Sequence, residues 1–156
     1  HLPTDQGLDV TGLGLNSEEM AHNPALSRHE VQDINARPEL PFPEESFHAV
    51  LCSLSVEYMI RPVAVLREAA RLLKPGGRMG ISFSNRWFPP KTIALWPELY
   101  EFERLGYVLE ILRRTSAFEG LHTVSLRNWW RPEEDKYYPS LLTSDPVFLA
   151  WGRRKA

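Results

Sequence analysis

The sequence has little cysteine and no excess of basic charge, and each shortage excludes a class of protein. Cys52 is the single cysteine. The chain can therefore form no intramolecular disulfide and no zinc site that uses several cysteines. Lys and Arg number 18 against 20 Asp and Glu, and the net charge is −2. This balance argues against a nucleic-acid partner.

Long apolar runs are also lacking. Stretches such as Ala49–Cys52 are far too short to cross a membrane. No apolar segment preceded by positive charge opens the chain, so we expect no secretory signal. The five histidines show no H-x-x-x-H or H-E-x-x-H spacing, and we expect no metal site. Together these absences favour a cytoplasmic protein without a membrane partner.

What is present is typical of a globular domain. Apolar residues make up 43% of the chain and charged residues 24%. A length of 156 residues is enough for one domain with a sizeable core. We predict a single domain over residues 1–156, with a loop at 1–9 and the folded core at 10–153.

Strand patterns alternate with helical patterns along the chain. Strands are predicted at 10–15, 29–34, 47–56, 78–84, 121–126 and 146–152. The third of these is so apolar that we expect it to be buried on both faces. A short helix follows Asn16 or Ser17, either of which can cap it. The alternation predicts an α/β fold of about six strands, mostly parallel.

The clearest helix is predicted to start at Pro62. Proline is favoured at a first helical position, and apolar residues then recur at helical spacing as far as Leu73. Lys74-Pro75-Gly76-Gly77 should end it. Two further helices are predicted, one at 92–104 that begins or kinks at Pro97, and one at 107–115 after Gly106.

One segment carries most of the functional information. Residues 40–77 read LPFPEESFHAVLCSLSVEYMIRPVAVLREAARLLKPGG. This segment resembles the type 11 group of the class I S-adenosylmethionine-dependent methyltransferases, which have an LPF turn, a phenylalanine that opens the fourth strand and a KPGG turn. The resemblance extends over about residues 10–153. It implies a Rossmann-like, mostly parallel sheet with an antiparallel strand at its C-terminal end. It also implies S-adenosylmethionine as cofactor and methyl transfer to an acceptor, most simply a small molecule.

The resemblance also assigns residues to the cofactor. In open parallel sheets, ligands bind beyond the carboxyl ends of the strands. Asp33 follows such an end, where the family often contacts the adenine amino group, and Ile34 would pack on the ring. Ser53 ends the fourth strand of the family, next to the reacting methyl group. Asn16, Glu18 or Glu19 could replace the acid that usually holds the ribose. The alternative for Asp33 and Asn16 is that they only cap or turn the chain.

Other residues are candidates for the acceptor side. Glu57 and Tyr58 stand where the family often has paired polar residues, and we expect Glu57 to share a cleft with Asp33 and Ser53. The loop that leaves the strand at 78–84 adds three more candidates, Asn85, Arg86 and Trp87. The alternative for Trp87 is hydrophobic packing under the next helix.

Three features depart from the family pattern. The glycine-rich turn after the family's first strand has no counterpart before Val10, so we expect a fold that is incomplete at its N-terminus. Gly14 stands where an acid usually binds the ribose, and His48 replaces a usual aspartate. The sequence therefore predicts weak binding of S-adenosylmethionine, or none, by this chain alone.

These departures keep a second hypothesis open. The chain could be a non-catalytic methyltransferase-like module for binding or assembly, and exposed sheet edges could pair it with a second copy. A dinucleotide-dependent oxidoreductase is a weaker alternative. It is suggested by Gly12-x-Gly14-x-x-Ser17, a pattern that close packing of a strand and a turn also explains.

Overall fold

The computed structural model describes residues 7–156, so most of the loop predicted at 1–9 lies outside the described residues. Within them the chain forms six strands and three α-helices. In order these are β1 (Thr11–Gly14), α1 (Ser17–Ala21), β2 (Arg28–Val31), β3 (Phe47–Ser53), α2 (Pro62–Leu72), β4 (Leu73–Ser84), α3 (Glu101–Thr115), β5 (Phe118–Leu126) and β6 (Val147–Arg154). The predicted α/β class and the number of strands are confirmed.

The six strands form two sheets rather than one. β1 and β2 pair in parallel, and the larger sheet has the order β3-β4-β6-β5. β3 is parallel to β4, whereas β6 is antiparallel to both β4 and β5. β6 is thus the antiparallel strand that the sequence predicted at the C-terminal end.

The hydrophobic core lies between the larger sheet and the helices α2 and α3. α2 begins at Pro62 as predicted and buries Leu66, Ala69 and Ala70. Phe83 of β4 stacks on Phe148 of β6, with ring centroids 5.3 Å apart. These contacts bury one stripe of each helix, as amphipathic spacing requires.

Several elements differ from their prediction. β4 begins at Leu73, so the predicted Lys74-Pro75-Gly76-Gly77 turn lies within this strand, and of the helix predicted at 92–104 only residues 101–104 are α-helical. Residues 101–115 form one continuous helix, where two helices were predicted on either side of Gly106. Gly106 is exposed, and no atom lies close to the position that a Cβ would occupy. The glycine therefore destabilises the helix only through its low helix propensity, by about 1 kcal/mol relative to alanine. β3 is not buried on both faces, because it is the edge strand of its sheet and Leu51 is 63% exposed.

Gly12 has a packing role rather than a phosphate-binding one. A Cβ at this position would lie 2.6 Å from Cδ1 of Leu26, so the glycine lets the chain pass close to β1. A Cβ at Gly14 would likewise lie 3.3 Å from Sδ of Met20. The packing explanation of the Gly12-x-Gly14 pattern therefore agrees with the structure.

Candidate functional site

Three loops of the larger sheet meet at one edge, which we call the carboxyl edge. β3 and β4 are parallel and end at Ser53 and Ser84. Ser84 pairs with Val147 at the start of β6, and Leu126 at the end of β5 pairs with the same residue. The segments 54–61, 85–95 and 127–146 therefore all begin or end at this edge, which is where ligands bind in open parallel sheets.

A short 3₁₀ turn at Val56–Tyr58 fastens the loop that follows β4. The carbonyl oxygen of Glu57 accepts hydrogen bonds from the Ile93 amide at 3.0 Å and from Thr92 Oγ1 at 2.9 Å. The Tyr58 hydroxyl accepts a hydrogen bond from the Phe88 amide at 3.0 Å. The predicted residues Glu57 and Tyr58 thus hold the segment that carries Trp87.

The turn that contains Asp33 is tied to the same place. Asp33 lies two residues beyond β2, and its Oδ1 accepts a hydrogen bond from the Asn35 amide at 2.8 Å. The Asn35 side chain donates to the carbonyl of Tyr58 and accepts from the amide of Ile60, both at 2.9 Å. The structure therefore brings the Asp33 turn next to the 3₁₀ turn, with Asp33 itself exposed and Ile34 half-buried.

The sequence led us to expect that Glu57 shares an open cleft with Asp33 and Ser53, but the structure buries its side chain instead. Its side chain is 1% exposed, and Oε2 has no hydrogen-bond partner. Burial raises the pKa of this carboxyl group, and a hydrogen bond from its own backbone amide and the charge of the nearby Arg104 only partly oppose the change. Burial also raises the pKa of the neighbouring Cys52 thiol to about 12, as expected for an unreactive thiol.

Arg104 on α3 is a central residue of this region that sequence reasoning missed. Its guanidinium lies 4.2 Å from the ring centroid of Trp87 and 5.4 Å from that of Trp96. Its Nε donates to the carbonyl oxygen of Trp96 at 3.2 Å. Trp87 is accordingly half-buried against the core, which agrees with the packing alternative.

A signal for Arg104 was present in the sequence. The buried residues of α3 are Arg104, Val108, Ile111, Leu112 and Thr115, which lie on one stripe of the helix. A charged residue on the apolar stripe of a helix requires a buried partner, and that requirement marks it as structurally or functionally important.

Of the three remaining candidates, Asn16 and Ser53 form local hydrogen bonds. The Asn16 side chain caps α1 by accepting hydrogen bonds from the amides of Glu18 and Glu19. Ser53 Oγ accepts a hydrogen bond from Ser82 Oγ at 3.0 Å. Asn85 is exposed at the carboxyl edge.

Arg86 has a partner from another segment of the carboxyl edge. Its Nε lies 2.8 Å from the carboxylate of Asp145, and its guanidinium lies 5.2 Å from the ring centroid of Tyr137. The hydrogen bond to Asp145 raises the pKa of Arg86. Arg86 thus joins the loop after β4 to the segment between β5 and β6.

The two best-defined cavities are not lined by Asp33 or Ser53. They measure about 290 Å³ each and are lined by residues around Gly7 and Pro24 and by residues around Arg28 and Phe42. Within residues 7–156, no group of three His, Cys, Asp or Glu side chains is placed to hold a metal ion. No helix of that range has the length and apolar character to cross a membrane.

Comparison with known proteins identifies relatives. The sequence profile of a family described as a methyltransferase domain matches residues 2–81. A demethylmenaquinone methyltransferase of Tropheryma whipplei is 31% identical over 136 residues, which cover 82% of this chain and 54% of that protein. The chain thus spans about half the length of this relative.

Solved structures share the fold at low sequence identity. The S-adenosylmethionine-dependent methyltransferase of Mesorhizobium loti has a TM-score of 0.57 and 18% identity, over 94% of this chain and 80% of that one. One from Archaeoglobus fulgidus has a TM-score of 0.60 and 12% identity, over 92% and 75%. These matches agree with the Rossmann-like architecture described above.

Proposed function

Because this chain belongs to the class I S-adenosylmethionine-dependent methyltransferase family, we propose that it binds the adenosine end of S-adenosylmethionine at the carboxyl edge and takes part in methyl transfer to a small molecule. The observation that carries the proposal is the position of Asp33. It lies beyond the end of β2, on a turn that Asn35 joins to the 3₁₀ turn after β3.

Asp33 and Ile34 suit an adenine ring. Only Oδ1 of Asp33 is used by the turn, so the other carboxylate oxygen can accept a hydrogen bond from the exocyclic amino group. Ile34 is half-buried beside it and offers an apolar surface to the ring face. We assign Ser53 to the same site, because it is exposed where β3 ends.

The methionine end of the cofactor does not fit the residues present. The family binds that end with a glycine-rich turn ahead of the strand that β1 matches, and residues 7–10 contain only Gly7. Gly14 offers no side chain to the ribose, and the side-chain oxygen of Asn16 is engaged in capping α1. We therefore derive no methyl-transfer step from these residues.

For the acceptor we propose a cytoplasmic small molecule that contacts Tyr58, Asn85, Arg86 and Trp87. The names of the relatives favour quinone precursors as the acceptor. They include the demethylmenaquinone methyltransferase and a ubiquinone biosynthesis O-methyltransferase of Xanthomonas oryzae, the latter 49% identical over 50 residues, which cover 32% of this chain and 20% of that protein. We propose Glu57 as a residue that positions this side of the site, since its backbone holds the loop after β4.

A second candidate function is binding or assembly without catalysis. The observation that favours it is β3, whose second edge has no strand partner within residues 7–156 and whose Leu51 is exposed. Unpaired strand edges recruit other strands. A second copy of the chain paired along β3 is the form of assembly that we propose.

The test separates the two ends of the cofactor. The ¹⁵N-labelled chain is titrated with adenosine and, separately, with methionine, each to millimolar concentration, and amide shifts are recorded by NMR. We expect adenosine to shift the amides of residues 33–37 and methionine to shift none. Asp33→Ala should remove the adenosine shifts, whereas Asp9→Ala, a control for loss of an exposed carboxylate, should retain them.

The possible outcomes distinguish the candidates. Absence of any adenosine shift near Asp33 would reject the proposed cofactor site and leave the assembly function. Shifts with methionine as well as adenosine would show that the methionine end is bound by residues not assigned here. Sedimentation at several concentrations then tests pairing along β3, which Leu51→Lys should weaken.

A further inference from the structure

The exposed aromatic side chains of this protein are gathered in one region. Within residues 7–156, every exposed aromatic ring of Phe, Tyr or Trp lies between residues 88 and 138. Five of them are at least 66% exposed, and we call this group the aromatic rim: Phe88, Tyr100, Phe102, Trp129 and Trp130. With about 200 Å² for each aromatic side chain, the rim exposes on the order of 700 Å². The largest apolar patch of a typical monomer is about 300–600 Å².

All three parts of the rim belong to the carboxyl edge. Phe88 is on the loop after β4, and its amide is bonded to Tyr58. Trp129 and Trp130 follow the end of β5. An ion pair of 2.7 Å between Glu101 and Arg127 brings the first turn of α3, which carries Tyr100 and Phe102, to the same place.

The exposure of the two tryptophans is not the result of a loosely held segment. Trp130 forms a bridge with Thr143. Arg131, which is buried, donates to the carbonyl oxygens of Leu141 and Thr143 at 3.0 Å and pairs with Asp135 at 3.2 Å. One buried side chain thus fixes the fold of the segment, while the neighbouring rings remain outside.

The charges around the rim are either paired or of both signs. Arg127 pairs with Glu101, Arg131 with Asp135, and Arg86 with Asp145 at 2.8 Å. Lys91, whose Nζ lies 5.9 Å from the ring centroid of Phe88, and Lys136 are exposed, and so are Glu98, Glu133 and Glu134 near them in the chain. Among the described residues the charges near the rim are therefore of mixed sign, which does not favour a strongly anionic or cationic surface. Trp and Tyr rings flanked by polar groups are the side chains that settle at the boundary between lipid headgroups and acyl chains.

We propose that the aromatic rim docks the protein on a zwitterionic lipid surface, with the carboxyl edge turned toward that surface. A second copy of the chain is a poorer occupant, because two rims in contact would close the edge where the proposed site lies. This contact is with the membrane surface, so it is compatible with the absence of membrane-spanning helices among the described residues. It departs from the sequence-based expectation of no membrane partner.

The proposal goes beyond the proposed function, and only the preference for a lipid surface over a second copy rests on the position of the proposed site. Docking requires only the rim, and binding to vesicles can be measured without cofactor or acceptor. If both proposals hold, an acceptor dissolved in the lipid would reach the site without crossing bulk water.

The test is co-sedimentation of the full 156-residue chain with phosphatidylcholine vesicles, supported by the tryptophan emission wavelength. We expect binding, a blue shift of the emission, and less than about a twofold change in affinity between 0.05 and 0.5 M salt. Trp129→Ser with Trp130→Ser should weaken partitioning by about tenfold or more. Tyr100→Ser with Phe102→Ser, on a different element, should weaken it in the same direction. The matched control is Leu51→Ser with Val124→Ser, which removes exposed apolar side chains from strands and should change partitioning little.

Circular dichroism verifies that each variant folds, and the two rim variants are independent of each other. Equal binding by the rim variants and the original chain would overturn the proposal, as would no binding at all. Binding that requires phosphatidylglycerol and disappears in salt would also overturn it, because it would be electrostatic. Self-association that only the rim variants abolish, without vesicle binding, would make the rim a protein interface instead.

Discussion

Glu57→Gln should make the protein more stable at neutral pH, although it removes a charge beside Arg104. Burial raises the pKa of Glu57, and Oε2 has no hydrogen-bond partner. The folded state therefore binds the proton more tightly than the unfolded state. Its free energy of unfolding falls as the pH rises from the unfolded pKa through the folded one.

The magnitude follows from the burial of a carboxylate oxygen that has no hydrogen-bond partner. Each unit by which the folded pKa exceeds the unfolded one costs about 1.4 kcal/mol above both values. A buried carboxylate with a partial counter-charge in Arg104 suggests a cost of about 1–3 kcal/mol at pH 8. Gln has the shape of the protonated acid and no titration, so this cost disappears in the variant. At pH 4 the two proteins should differ only by the fixed cost of packing the amide.

The assay is urea unfolding followed by circular dichroism at pH 4 and pH 8. The variant and the original chain are compared by the difference in their free energies of unfolding at each pH. Subtracting the difference at pH 4 from that at pH 8 removes the contribution of packing the amide, which is the same at both. Glu68→Gln is the matched control. Arg71, bonded to Glu68 at 2.7 Å, holds the pKa of that carboxyl group below its ordinary value. Its removal should cost stability at pH 8 and less at pH 4. If Glu57→Gln also behaved in this way, Glu57 would be an ionised partner of Arg104, and our description of this carboxyl group would be wrong.

Two further substitutions test the packing around the site. Arg104→Ala should lower the free energy of unfolding by about 3–5 kcal/mol, because it removes stacking on two rings and leaves the buried Trp96 carbonyl without its donor. Urea unfolding measures this loss, and Arg104→Lys should recover less than about half of it if the guanidinium stacks on the rings. An alanine variant as stable as the original chain would contradict this geometry. Gly77→Ala should destabilise the protein by about 1–3 kcal/mol, because the new Cβ would lie 2.8 Å from the Lys74 carbonyl oxygen. A thermal midpoint equal to that of the original chain would show that this backbone can move aside. Gly106→Ala, with open space around it, is the control that should be neutral or stabilising.

The sequence predicted the elements whose signals are local. α2 could be placed to within a residue, because Pro62 suits a first helical position and the Lys-Pro-Gly-Gly turn ends the apolar spacing. The antiparallel β6 could be anticipated only through the family resemblance, since pairing between β4 and β6 joins residues about 70 positions apart. The division into two sheets could not be predicted for the same reason, because no local pattern specifies which strand edges pair.

The candidate site was predictable in position and less so in exposure. Asp33 lies beyond the end of β2 and Ser53 is the last residue of β3, as the parallel arrangement required. The burial of Glu57 arises from the packing of residues 92–104 over the 3₁₀ turn, a long-range contact that spacing does not encode. Arg104 was missed because its segment was divided at Gly106, which concealed that it shares a stripe with Val108 and Ile111.

The central claim is that these residues fit the adenosine end of S-adenosylmethionine and not the methionine end. Isothermal titration of the 156-residue chain with S-adenosylmethionine tests it most directly. Two or three unmatched polar groups, each worth about 1–3 kcal/mol, should weaken binding by roughly a hundredfold or more relative to a complete site. We predict a dissociation constant well above about 100 μM, with S-adenosylhomocysteine and adenosine bound no more than about tenfold differently. A dissociation constant in the low micromolar range would contradict the claim, because a complete cofactor site would then have to be present in this chain.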